Sequence, residues 1–207
     1  NKKSKYGRRF DNQKSLGEKN IPKLSDLLEL TSIYISDDSI INLEIKSTPV
    51  EDNLTPPPNV MAKLIIEEVN KTKLKDKVIY SSFDWRILTE IKNIDPKISR
   101  AYLTSDRKGK MYDKSPWLDF MPLYESESRE LPRLIKTLGG KAWHPNRKDI
   151  SKDMVRISHD EDLPVNVWTV NEEYEMLRMI DYGVDGIITD YPLKLKKLCE
   201  KENISWF

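Results

Sequence analysis

The stretch LPVNVWTVNEEYEMLRMIDYGVDGIITDYP, residues 163–192, decides how the chain is read. VNVWTV alternates and is rich in β-branched residues and Trp, which predicts a strand. Asn171 is placed to cap a following helix, with Glu172 and Glu173 in the first turn, where the helix dipole favours anions. Tyr174, Leu177 and Ile180 recur at helical spacing and predict its buried side. Gly183 falls where a glycine ends a helix. GIITD is a second short apolar strand, and Pro192 closes it. Two strands joined by a helix make a parallel βαβ unit.

Working outward, the same alternation repeats. Strands are predicted at IINLEIKS (40–47), VIYSSF (78–83), ISRAYLT (98–104) and KAWHP (141–145). Helices are predicted between them: IPKLSDLLEL with Leu24, Leu27 and Leu28 on one face, and a helix after the prolines at 56–58 with a stripe of Val60, Met61, Leu64, Ile65 and Val69. A third is capped by Asp84 and buried through Ile87, Leu88 and Ile91. Leu131 to Leu138 form a short helix ended by Gly139 and Gly140. DISKDMVRISHD is helical with His159 on its surface, and the tail from Leu193 is a final helix packed by Leu193, Leu195 and Leu198. Alternating strands and helices predict an α/β fold with a parallel sheet. Roughly six βα units are visible where a closed TIM (β/α)8 barrel has eight. The 207 residues read as a single domain, with 1–20 a loop or flexible lead and 105–130 a long loop on the functional face.

Composition excludes several classes. Charged residues are 33% and hydrophobic ones 38%, and the net charge is +1, so no global charge draws the chain to nucleic acid or an anionic membrane. The basic residues Lys2, Lys3, Lys5, Arg8 and Arg9 lack interleaved aromatics and read as solvated loop. No apolar run is long enough to span a bilayer. A single cysteine, Cys199, rules out an internal disulfide and suits a reducing compartment, the cytoplasm being the expected one.

The chemically informative strand is IINLEIKS. Ile41, Leu43 and Ile45 point one way; Asn42, Glu44 and Lys46 point the other. In a parallel barrel the apolar set packs outward on helices while the second set enters the barrel. Glu44 then supplies a hard oxygen ligand for a cation. Lys46, about 7 Å further along the same face, is placed to neutralise a phosphate oxygen. The competing reading of the strand alone is a solvated face carrying an ordinary ion pair. Ser81 either meets a ligand at the barrel mouth or fits the packing. Trp117, Phe120 and Tyr124 either line a pocket or pin the 105–130 loop. His144 stands at a strand end, where the choice is between a base or ligand and a structural or substrate-contact residue, the second being favoured; two histidines without local partners make no zinc site. There is no CxxC pair, phosphate-binding glycine loop or nucleophile elbow.

WTVN followed at this spacing by GVDGIITDYP closely resembles the last βαβ unit of the glycerophosphodiester phosphodiesterases. The LEIK strand resembles one of the same family, and SSF resembles that family's fourth strand; the resemblance covers nearly the whole chain. The resemblance implies metal-assisted hydrolysis of glycerophosphodiesters to glycerol 3-phosphate and an alcohol. It implies Glu44 as a ligand of a divalent cation, Mg²⁺ or Ca²⁺, Lys46 as a substrate contact and Trp168 as a wall on the glycerol side. Asn42, Ser81 and Asn171 are lesser substrate-binding candidates. The family's HRG, Glu-x-Asp and HD motifs do not occur here, and His159-Asp160 is on the wrong element. The expectation is therefore a barrel lacking its first strands, with the proton-transferring histidines upstream of Asn1. The partner implied is a small-molecule glycerophosphodiester. The alternatives are a lyase-type relative of the sphingomyelinase D-like phospholipases, and a remnant or binding module without chemistry.

Overall fold

In a computed structural model of the chain, residues 8, 20–51, 53–105, 114–119 and 130–205 are described. Most of the 1–20 lead, together with Phe120 and Tyr124, lies outside them. The described strands are β1 (Ile41–Ile45), β2 (Val78–Ser82), β3 (Arg100–Thr104), β4 (Ala142–Pro145), β5 (Asn166–Val167) and β6 (Gly186–Ile187). The helices are α1 (Leu24–Tyr34), α2 (Pro58–Asn70), α3 (Trp85–Ile94), α4 (Leu131–Thr137), α5 (Lys152–Asp160), α6 (Glu173–Asp181) and α7 (Pro192–Lys201).

All pairings are parallel and follow chain order. The first four strands form one ladder, β1-β2-β3-β4, and β5 pairs β6. Bridges from Trp143 to Val165 and from Asn146 to Trp168 join β4 to β5, so the two ladders form one run. Strand, helix and parallel neighbour in strict sequence are the construction of a (β/α)8 barrel, here a segment of one. The predicted strand VNVWTV is shorter than expected as a regular ladder. Its pairing nevertheless continues, since Val170 N–H donates to the Ile188 carbonyl at 3.0 Å.

Register divides the side chains into two sets. Ile41, Leu43, Ile45, Val78, Tyr80, Tyr102, Trp143, Val165, Val167 and Ile187 share one face and belong to the main hydrophobic core, with the helices. The other face carries Asn42, Glu44, Ser81, Ala101, Leu103, His144, Asn166, Trp168 and Gly186, none of which joins that cluster. Alternation across a pleated strand thus separates a helix-covered outside from a more polar inside.

The helices show where periodicity alone goes astray. In α3 the expected set holds: Asp84 accepts from the Arg86 amide at 3.3 Å, and Ile87, Leu88 and Ile91 are fully buried. In α2 the buried side is rotated to Ala62, Ile66 and Val69, leaving Val60 and Leu64 exposed. Apolar residues spread around more than one arc of that helix, so spacing alone does not choose the buried one. In α6 Tyr174 and Leu177 are exposed, and Met176 and Met179 are buried beside Glu175, whose charge is paired with Arg147 at 2.8 Å. Leu27 of α1 and Leu193 of α7 are exposed as well, because nothing described packs on their sides of those helices. Asn171 does not cap α6; Glu172 occupies that position, without a side-chain cap bond. Gly183, at φ +79°, ends α6 as predicted: its amide donates to the Ile180 carbonyl, and the Val184 amide to that of Met179. Gly139, at φ +81°, and Gly140 end α4 in the same way.

His144 is the one histidine buried among the described residues, 1% exposed on the inner face of β4. Burial pushes its imidazole down to about 4 from the ordinary 6.5.

Two predictions follow from this packing. Ile91→Ala removes a fully buried side chain and is expected to cost about 2–5 kcal/mol, whereas Leu193→Ala costs less than about 0.5 kcal/mol; urea unfolding midpoints check both. For His144, the unfolded chain binds the proton more readily than the fold does, so stability is full above about pH 6.5 and falls as pH drops toward about 4. The total effect is about 3 kcal/mol, and it is read as the part of the pH 4–7 stability slope that His144→Asn abolishes.

Candidate active site

β1 ends at the candidate site. Its ladder sets Ile45 opposite Ser82, and the Ser82 hydroxyl donates to the Ile45 carbonyl at 2.8 Å. Two residues on, Ser47 donates to Asp84 Oδ2 at 2.7 Å. Asp84 is fully buried, and its carboxylate also receives the Arg86 guanidinium at 2.8 and 2.9 Å. The C-terminal ends of β1 and β2 are therefore tied together on both sides of Lys46.

From that anchored end, Glu44 and Lys46 project on the inner face. Lys46 Nζ lies 2.5 Å from Glu44 Oε1, and the two side chains are 79% and 32% exposed, respectively. A pair so open to solvent contributes only about 0–1 kcal/mol. Each member can thus exchange its partner for a ligand at little cost. The ion pair foreseen as the ordinary alternative is present, on the face and at the strand end that a site needs.

Trp168 occupies the same end of the barrel segment. Its indole N–H donates to the His144 carbonyl at 2.8 Å, and its ring meets Phe83 edge-on with centroids 5.1 Å apart. Phe83 follows β2 directly and shares the inner-face parity of Ser81, which is Glu44's register partner. The barrel mouth thus carries, in turn, Lys46, Phe83 and Trp168. Phe83 was not among the residues picked from the sequence. The signal for it was the SSF parity, two positions beyond Ser81.

The lesser candidates are placed differently. Asn42 is exposed on the inner face, one side-chain step before Glu44. Ser81 is fully buried, its hydroxyl without a hydrogen-bond partner among the described residues. Asn171 braces the end of β6: its amide nitrogen donates to Asp190 at 2.8 Å, and its oxygen accepts from the Asp190 amide at 3.0 Å and from Thr189 at 3.1 Å. Trp117 sits in a short 3₁₀ turn, Pro116–Leu118, half-buried. His159 is on the surface of α5, its Nε2 2.9 Å from Asp185.

Glu44 brings one carboxylate to this face. Among the described residues no group of three or more His, Cys, Asp or Glu is arranged to hold a metal ion. A hard divalent cation takes six or more oxygen ligands, several of them from protein or substrate. The described donor set alone does not fit such an ion.

Comparison with known proteins places the chain. Residues 2–194 match the Glycerophosphoryl diester phosphodiesterase family. A glycerophosphodiester phosphodiesterase of Bacillus altitudinis is 29% identical, over 89% of this chain and 65% of its own length. Another, from Caldanaerobacter subterraneus subsp. tengcongensis, is 28% identical over 95% of this chain and 67% of its own. A solved structure assigned as a glycerophosphoryl diester phosphodiesterase, from Silicibacter pomeroyi, superposes with a TM-score of 0.84 at 31% identity and covers 100% of this chain and 65% of that one. The chain thus spans about two thirds of the length of the relatives it matches, at 65% for two of these three. With its parallel barrel segment and its match from residue 2 to residue 194, the chain belongs to the glycerophosphoryl diester phosphodiesterase family.

Proposed function

We propose that this chain forms part of an enzyme that hydrolyses glycerophosphodiesters to glycerol 3-phosphate and an alcohol. The observation that carries the reading is the joint placement of Glu44 and Lys46 on the inner face, at the anchored end of β1 and on the same end as Trp168. In this reaction a water oxygen bonds to phosphorus, the phosphorus–oxygen bond to the alcohol breaks, and the departing oxygen takes up a proton. Lys46 is assigned to a non-bridging phosphoryl oxygen, where a fixed cation stabilises charge that grows in the transition state. Trp168, with Phe83 at its edge, is assigned to the carbon skeleton of the glycerol. Asn42 and Ser81 are lesser contacts on the same face. Asn171 is a lesser one still, with its side chain committed to Asp190 and Thr189.

The family generally depends on a divalent metal. The ion assigned here is Mg²⁺ or Ca²⁺, with Glu44 as one of its ligands; a single carboxylate does not hold it. No described helix is long and apolar enough to cross a membrane. The single Cys199, which has no second cysteine in the chain to pair with, supports a reducing, cytoplasmic setting.

In the complete protein, Glu44→Gln keeps the fold and lowers turnover of glycerophosphocholine by about 100-fold or more. Lys46→Met lowers kcat by about 100-fold. Turnover at the parent rate by either variant contradicts the assignment. Product analysis separates the reaction classes: glycerol 3-phosphate supports hydrolysis, and a cyclic phosphate as end product supports the lyase. The 207 residues alone are expected to turn over poorly and to self-associate, because one carboxylate holds no hard cation and an incomplete barrel leaves strand edges open. Size-exclusion chromatography with a phosphodiesterase assay tests this, and a monodisperse, fully active fragment refutes it.

A further inference from the structure

Directly beneath Trp168, counting back along β5, the inner face carries Asn166. Its amide nitrogen donates to Nε2 of the buried His144 on β4, at 3.0 Å. On the other side Asn166 is paired with Gly186 of β6. A Cβ at position 186 would stand 2.2 Å from Asn166 Oδ1 and 2.9 Å from its Cγ. No side chain fits there while Asn166 keeps its place. Three neighbouring strands are thus interlocked in one layer: a missing side chain on β6, an amide on β5 and an imidazole on β4.

That layer is coupled to the indole above it. Side chains two residues apart on a strand share a face at a spacing of about 7 Å, so Asn166 and Trp168 stand in successive positions on the inner face. The acceptor for its N–H is the carbonyl of His144 itself, at 2.8 Å. Phe83 meets the same ring edge-on. Neutral imidazole is required, since Nε2 must offer its lone pair to the Asn166 amide.

We propose that His144, Asn166 and Gly186 form a positioning layer that fixes the orientation of the Trp168 indole, so that the affinity contributed by Trp168 depends on three residues that touch no ligand. The inference rests on the reading of Trp168 as the wall of the substrate site. None of the three is a catalytic residue; they act through Trp168. Gly186→Ala drives a methyl into the Asn166 amide, and Asn166→Ala removes the donor to His144. Both tilt the indole.

Two readouts on the complete protein test this. In ¹⁵N-indole-labelled protein, Asn166→Ala and Gly186→Ala are expected to move the Trp168 Nε1–H resonance and to speed its solvent exchange by about 10-fold. Trp168→Phe identifies the resonance. In steady-state kinetics with glycerophosphocholine, the same variants are expected to raise KM about 5-fold with kcat within about twofold. That effect is expected to vanish in a Trp168→Ala background, because residues acting through one group are non-additive. An unmoved indole resonance overturns the proposal, as does a KM effect of equal size in both backgrounds. If Gly186→Ala does not fold, Asn166→Ser replaces it. If the complete protein turns over no glycerophosphodiester, the functional reading falls, while the indole resonance still decides the positioning layer.

Discussion

Alternation of side chains along paired parallel strands is the constraint on which the rest of this structure depends. In β1 it sends Ile41, Leu43 and Ile45 to the helices and Asn42, Glu44 and Lys46 to the inside. A slip of one residue would bury a carboxylate and an ammonium against the core and expose three large aliphatic groups. Neither is affordable at strand lengths of five residues. The apolar set thus fixes the register, and the register fixes which residues the proposed site can use. Core packing and chemistry are two faces of one decision in the sequence.

The site end of the barrel is built by polar ties rather than by more apolar packing. Ser82 to the Ile45 carbonyl, Ser47 to Asp84, and Asp84 to Arg86 hold the strand ends in place. Buried carboxylates are costly unless paired, and Asp84 is fully buried with its charge met by Arg86. The Glu44 and Lys46 charges are left open to solvent in contrast. Charge is satisfied where it serves structure and left exchangeable where it faces the barrel mouth. Asn171 does comparable work at the end of β6, tying Asp190 and Thr189 to the turn after β5.

The strands and their facing were legible because period two is unambiguous: the parity of IINLEIKS and VNVWTV placed Glu44, Lys46 and Trp168 on the inside. The α3 face was legible because its apolar residues fill one arc. In α2 and α6 they fill more than one, and only the neighbouring elements of the fold decide between them. The Asn166–Gly186 fit was not legible either. It depends on which residues of two strands lie opposite each other, and a single strand does not carry that. Phe83 was visible by parity but belonged to no pattern that named a role, and His144, read as a structural or substrate-contact residue, had no partner that its own strand could show.

The measurement that bears most directly on this account is a crystal structure of the complete protein with sn-glycerol 3-phosphate and Mg²⁺ or Ca²⁺. The account places Lys46 Nζ within hydrogen-bond distance of a phosphate oxygen, Glu44 on the cation and the Trp168 ring along the glycerol carbons. A ligand bound elsewhere, with the Glu44–Lys46 pair intact and Trp168 untouched, would contradict it.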